Sequence, residues 1–199
     1  MLPDAVVKGL KYHDIVKDKI PEEEIMKVDE YLHKVMLRID PELFGIICGS
    51  YRRHAKVSGD IDVLLVHPSY TSKAMPDEPP VNYLGEFIDE LKSDNFIVDS
   101  LTGDEVKTKY MGYCKYDGDP VRRIDIRFIP YDSYYTAILY FTGPKDFNKR
   151  MRLLAISLGY HLSEYSLVEE EGNRPVPINS EKDVFDALGM EYLPPEKRK

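Results

Sequence analysis

The sequence predicts an α+β fold: a small mixed β-sheet with two covering helices, followed by a small α/β C-terminal subdomain. Three observations predict it. Short apolar or alternating runs recur at Phe44 to Cys48, around Asp60-Ile61-Asp62-Val63, at Phe96 to Leu101, at Lys109 to Tyr116 and at Arg123 to Ile129, with the lengths and patterns of strands. Two other stretches repeat apolar residues at helical spacing, Ile25, Val28, Leu32, Val35 and Met36 in one, Leu84, Phe87, Ile88 and Leu91 in the other. From Asp132 the pattern changes to closely spaced helices and a hairpin.

In chain order, residues 1–20 are short for a domain. Pro21 followed by Glu22, Glu23 and Glu24 opens the first covering helix, with Pro at the first position and acids at the positive end of the dipole. Tyr70 to Pro80, with three prolines, reads as a loop before the second. Asp117-Gly118-Asp119-Pro120 turns the Lys109 strand into the Arg123 strand. SYYTAILYFTG reads as a helix, and Pro144 to Leu158 as another, stopped by Gly159. Phe147, Met151, Leu154, Ala155 and Leu158 make its core stripe and leave Lys149, Arg150 and Arg152 outside. Gly172-Asn173 turns a terminal hairpin, and Ser180 with Asp183 starts a closing helix.

A length of 199 residues bounds the chain to one or two small domains with room for a real core. Cys48 and Cys114 sit in apolar runs and read as buried reduced thiols, with no Cys/His cluster for zinc, which fits a reducing compartment. No apolar run approaches the ~18 residues of a membrane span, and the N-terminus lacks a signal peptide's apolar core, so a soluble intracellular protein with no membrane partner is expected. The net charge of −8 argues against coating duplex DNA with the whole surface. Arg122 to Arg152 nevertheless carries seven basic against three acidic residues. On charge alone that is an ordinary solvated helix face.

The chemistry concentrates in CGSYRRHAKVSGDIDVLLVHP, Cys48 to Pro68. On a strand residues i and i+2 share a face, so Asp60 and Asp62 project together. Two carboxylates at about 4 Å repel by about 1 kcal/mol in water and about 4 kcal/mol at an intermediate dielectric, which calls for a cation. Oxygen ligands without His or Cys point to Mg²⁺ or Mn²⁺ and a phosphate substrate. The Gly49-Ser50 turn follows an apolar strand, so its backbone N–H groups can cradle an anion, with Ser50 and Arg53 as side-chain donors. Strand, turn, helix and acidic strand make a nucleotidyltransferase arrangement.

A third acid lies on the alternating strand Arg123-Ile124-Asp125-Ile126-Arg127-Phe128-Ile129. The isoleucines and Phe128 face one side; Arg123, Asp125 and Arg127 face the other. An acid between two arginines stays ionised, and it can bind one metal within reach of an attacking hydroxyl. Two metals about 3.5–4 Å apart then clamp the attacking and leaving oxygens. Singly, a D-x-D or a G-S turn is more often a solvated face or a plain turn; together, at this spacing, they are specific.

The runs GSYRRHAKVSGDIDVLLVHPS, RRIDIRFIP and YFTGPKDFNKRMR, in that order, resemble the family-X DNA polymerases, on the polymerase beta side of that family, from about Gly9 to the C-terminus. The resemblance implies a catalytic palm over 21–130 and a thumb-type nucleotide-binding subdomain over 131–199. Residues 1–20 would be the end of the DNA-binding fingers, the lyase domain and most of the helix-hairpin-helix region being absent upstream. Asp60 and Asp62 would bind both of two Mg²⁺ ions, for which Mn²⁺ can substitute, and Asp125 the catalytic one while helping deprotonate the primer 3′-OH. Gly49, Ser50, Arg53, Gly59 and Gly143 would hold the nucleotide. Tyr140 and Phe141 would crowd its sugar, and Asn148 would meet the base. Arg123, Lys149, Arg152 and Tyr165 would face DNA, with Arg127 and Tyr165 responding to subdomain closure. Two positions depart from the family: His54 stands where Gly is usual, and Lys145 where the best-known member has Asp near the incoming base.

The resemblance implies a nuclear, monomeric, DNA-directed DNA polymerase that acts on gapped or primer-template DNA and a dNTP in short-gap base excision repair, beside repair-complex proteins. Two alternatives stay open. One is a template-independent or non-DNA nucleotidyltransferase; the other is a catalytically idle remnant that binds DNA or a partner.

Overall fold

The computed structural model describes residues 1–72, 79–103 and 105–199. Most of the loop expected over 70–80 falls outside them. The chain opens with helix α1 (Asp4–Val16), a two-residue strand β1 (Ile20–Pro21) and the long helix α2 (Glu22–Ile39). Then follow β2 (Phe44–Ile47), the single-turn helix α3 (Gly49–Arg52), β3 (Val57–Ser58) and β4 (Ile61–Val66). Helix α4 (Tyr83–Ser93) leads into β5 (Ile97–Ser100), β6 (Lys109–Cys114) and β7 (Arg122–Phe128).

Strands β2-β4-β7-β6-β5 form one mixed sheet in that order. Only β4 and β7 run parallel. Helices α2 and α4 cover one face, and every residue of their two expected stripes is buried there against Ile61, Val63, Leu65, Ile124, Ile126 and Phe128. Alternation then forces the other face to carry Asp62, Arg123, Asp125 and Arg127. A sheet with one greasy and one charged face has only one way to lie on these helices.

The remaining elements are α5 (Tyr134–Thr142), α6 (Lys145–Ser157), the antiparallel strands β8 (Tyr160–Leu162), β9 (Leu167–Glu169) and β10 (Arg174–Pro175), and α7 (Glu181–Ala187). They enclose a second core of Leu139, Phe147, Met151, Ala155, Val184, Phe185 and Leu188. Ala137 and Ile138 of α5 join Leu64, Val66 and Ile129 on the charged side of the sheet and so fasten this subdomain to it. The expected caps form: Ser180 accepts from the Asp183 N–H, Gly159 stops α6 at φ +82°, and Gly172 and Asn173 turn β9 into β10 at positive φ.

The structure differs from the sequence reading at several points. Residues 4–16, read only as too short for a domain, form α1, which lies on the charged face with Tyr12 stacked on Tyr113 at 4.1 Å. Pro21 is the cap rather than the first helical residue, because its extended backbone pairs with Val57. Leu158 is half exposed, since it follows the last turn of α6 and falls out of the stripe.

His54, just after α3, holds a left-handed backbone at φ +61°. A Cβ there costs roughly 1–2 kcal/mol that glycine avoids. His54→Gly is therefore expected to raise unfolding stability by about 1 kcal/mol, read as a higher urea midpoint at unchanged m value; a lower midpoint would show that the imidazole contributes more than the strain.

Candidate active site

The parallel register pairs Asp62 directly with Asp125. Asp60 sits one residue before β4, at the N-terminal end of that interior strand, not inside the strand as the alternation suggested, yet it still converges. One oxygen from each of Asp60, Asp62 and Asp125 lies within 4.8 Å of the others. Partial burial and the neighbouring charges of Asp60 and Asp125 push Asp62 up to about 7. Burial and Asp125 raise Asp60 as well. Arg123 donates to Asp125 Oδ1 at 2.8 Å and fixes its rotamer. Three hard oxygen donors that repel one another fit a divalent cation of the Mg²⁺ or Mn²⁺ kind.

Position 49 favours glycine. Its φ is +63°, and a Cβ would stand 3.2 Å from Asp62 Oδ2. The turn therefore brings the Gly49 backbone close to the Asp62 carboxylate. Ser50 Oγ donates to buried Ser58 Oγ at 2.7 Å, which ties the turn to β3. Arg53 donates to the Thr142 carbonyl at the end of α5, and burial lowers its pKa.

Arg53 also lines a cleft of about 710 Å³ with Tyr140, Phe141, Gly143, Lys145, Asn148, Lys149 and Arg152. The structure thus gathers most of the residues expected to meet a nucleotide. Their side chains are already engaged: Asn148 Nδ2 donates to the Tyr140 carbonyl at 2.6 Å, Arg152 lies over the Tyr140 ring at 4.5 Å and near Glu164 at 3.5 Å, and Arg127 lies over Phe141 at 4.5 Å. Arg127 and Tyr165 line a second cleft of about 1080 Å³ between the sheet and the C-terminal subdomain. Arg123, expected at DNA, spends donors on Asp125 and the Gly112 carbonyl and covers Tyr113. Gly59 lies in the link from β3 to Asp60.

Sequence reading missed two features. Pairing of β1 with β3 sets Lys19 beside Gly59, where a Cβ would lie 3.6 Å from the ammonium, so Lys19 adds a cation next to Asp60. The signal was a lysine preceding an Ile-Pro strand, which only the pairing makes meaningful. The second is a partly buried ionic triad: Arg52 of α3 grips Glu181 of α7 with two N–H groups at 2.5 and 3.1 Å, and Arg198 donates to the same carboxylate at 2.7 Å. Burial opposes the charge on Glu181, but the two arginines hold its carboxyl below the usual range. Arg52 also donates to Thr142 Oγ1, so the Gly49-Ser50 turn, α5 and Arg198 meet at one place.

A mixed sheet with a Gly-Ser turn and three convergent carboxylates defines the nucleotidyltransferase fold. Residues 19–131 match the family model described as DNA polymerase beta palm, and residues 137–199 the one described as DNA polymerase beta thumb. The chain belongs to the family-X DNA polymerases. It is 34% identical over 205 residues to a DNA polymerase lambda of Rattus norvegicus and 35% over 218 residues to one of Arabidopsis thaliana, covering 96% and 99% of this chain. A DNA nucleotidylexotransferase of Xenopus laevis is 22% identical over 96% of the chain. The chain spans 35%, 40% and 43% of the lengths of these relatives.

Because Asp62 binds its proton more tightly folded than unfolded, the cation-free protein loses stability as pH rises from about 4 through about 7. Asp62→Asn removes that loss: its cation-free melting temperature should exceed the wild type's at pH 8, the gap closing towards pH 5, and Mg²⁺ should stabilise the wild type only. An equal response of both proteins to Mg²⁺ would place the ion elsewhere. Glu181→Gln leaves buried Arg198 and partly buried Arg52 facing a neutral amide and should cost on the order of 3 kcal/mol in denaturant titration.

Proposed function

We propose that this chain adds a dNTP to a primer 3′-OH under the direction of a DNA template, releasing pyrophosphate, in short-gap repair. The observation that carries the proposal is the convergence of Asp60, Asp62 and Asp125 beside the Gly49-Ser50 turn. Membership of the polymerase family and the DNA polymerase lambda relatives support it.

Asp60 and Asp62 would hold both of two divalent cations, Mg²⁺ or in its place Mn²⁺, and Asp125 the one nearer the primer. When bound, these ions supply Lewis acidity at the α-phosphate and at the attacking and leaving oxygens. The protein's share is positional. Asp125, its rotamer set by Arg123, faces the open side of the sheet, where a primer hydroxyl can approach and lose its proton. The Gly49 turn, Ser50, Arg53 and Gly59 orient the phosphate chain, with Lys19 beside them. Tyr140, Phe141 and Gly143 bound the sugar, and Asn148 reaches the base once it leaves the Tyr140 carbonyl. Arg123, Lys149, Arg152 and Tyr165 serve the DNA, and Arg127, resting on Phe141, reports movement of α5 to the sheet.

The acidic overall charge makes DNA binding weak and salt-sensitive, carried by the basic segment of α6. No helix among the described residues is long and apolar enough to cross a membrane. A monomer in the nucleus, working beside repair-complex proteins, goes with this reading, and the domain limits 1–20, 21–130 and 131–199 are proposed with it.

The reading is tested by primer extension on a one-nucleotide-gapped duplex with Mg²⁺ and each dNTP at low salt. Wild type should add the templated nucleotide, and Asp125→Ala should lose on the order of 10³-fold in turnover while still binding the metal-nucleotide. Near-normal turnover of the variant would refute the role of Asp125. Addition that ignores the template would favour untemplated transfer. Gap binding without incorporation would favour an idle remnant.

A further inference from the structure

We propose that Lys145 is a second cation for the phosphate chain of the incoming nucleotide, working beside Arg53; the inference rests on the nucleotidyl-transfer reading above. Lys145 lines the same cleft as Arg53, Gly143 and Asn148. Gly143 sets the spacing. A Cβ built on it would stand 3.5 Å from Arg53 Nη1 and 3.3 Å from the Lys145 backbone nitrogen. The Lys145 main chain therefore passes close to the guanidinium, and its flexible four-carbon stem can bring the ammonium to any anion that Arg53 holds.

Lys145, like Lys149 on the same helix, is uncommitted, whereas the arginines around it are not. Arg53 donates to the Thr142 carbonyl, Arg152 covers Tyr140 and Arg127 covers Phe141. Lys145 is exposed and has no hydrogen-bond or ion-pair partner among the described residues. Its position is locally unfavourable, too. It is the first residue of the thirteen-residue α6, where the helix dipole favours an acid and a cation costs a few tenths of a kcal/mol or more. An anion in the cleft reverses that sign, because helix end and ammonium then attract the same charge.

Phosphate fits better than a base edge. The cleft carries Arg53, Lys145, Lys149 and Arg152 against Asp146 as its acid, and a lysine ammonium acts as a point charge with no planar match to a base. The contact therefore strengthens binding of all four nucleotides alike.

The test uses the full chain on a gapped duplex with a dideoxy-terminated primer and Mg²⁺, titrated with each dNTP opposite its matching template base, beside steady-state turnover on an extendable primer. Lys145→Ala should weaken all four dNTPs equally, by roughly fivefold, the upper end for an exposed ion pair. Its affinity should also depend less steeply on salt, with saturated turnover and duplex affinity as in the wild type, and Lys145→Arg should restore binding. Unchanged dNTP affinity, loss confined to some bases, or weakened duplex binding would each overturn the inference. A wild type that binds dNTPs through Lys145 but does not extend the primer keeps this inference and removes templated synthesis; a wild type that binds no dNTP removes both.

Discussion

Three carboxylates are held together against their own repulsion, and most of the architecture follows from how that is done. Asp62 and Asp125 are neighbours because β4 and β7 are parallel and paired in one register. The same strands bury Ile61, Val63, Ile124 and Ile126 on their other face. A slip of one residue would turn both acids into that core and these four apolar side chains towards water, so the packing of α2 and α4 defends the site as firmly as it defends the fold. Arg123 offsets part of the charge, yet Asp62 remains raised to about 7 until a cation arrives. Stability has been given up where a metal can return it.

The turn that faces this cluster is held from both sides. Gly49 allows the backbone to approach Asp62. On the far side, Arg52 carries α3 into the Glu181–Arg198 triad, so the shape of the Gly49-Ser50 turn depends on a residue far along the chain. Arg53, one position on, reaches Thr142 in the same region. Adjacent arginines thus couple the sheet to the C-terminal subdomain, and a shift of that subdomain must be felt at the turn.

Much of this was legible in the sequence because it rests on short-range rules. Alternation in Arg123 to Ile129 assigned faces correctly, helical spacing found α2 and α4, and Ser180 and Gly159 marked helix ends where the caps form. What escaped depends on pairing across the chain. Lys19 is an ordinary lysine until β1 lies on β3, and Glu181 reads as the acid of a helix start until Arg52 and Arg198 close on it. Helix α1 has few buried side chains and a weak apolar pattern, and Tyr12 finds its place only through Tyr113. Arg123 carries a contact that alternation alone does not reveal: it shares the face of Asp125, and its guanidinium donates to that carboxylate and to the Gly112 carbonyl.

The most direct measurement is Mn²⁺ binding to the wild-type chain followed by electron paramagnetic resonance, with and without a dNTP. With nucleotide, two ions should bind per chain and couple magnetically, as ions about 3.5–4 Å apart must, and Asp125→Asn should leave one uncoupled ion. A single uncoupled ion in the wild type, or coupling that survives Asp125→Asn, would contradict the claim that Asp60, Asp62 and Asp125 form one shared two-ion site.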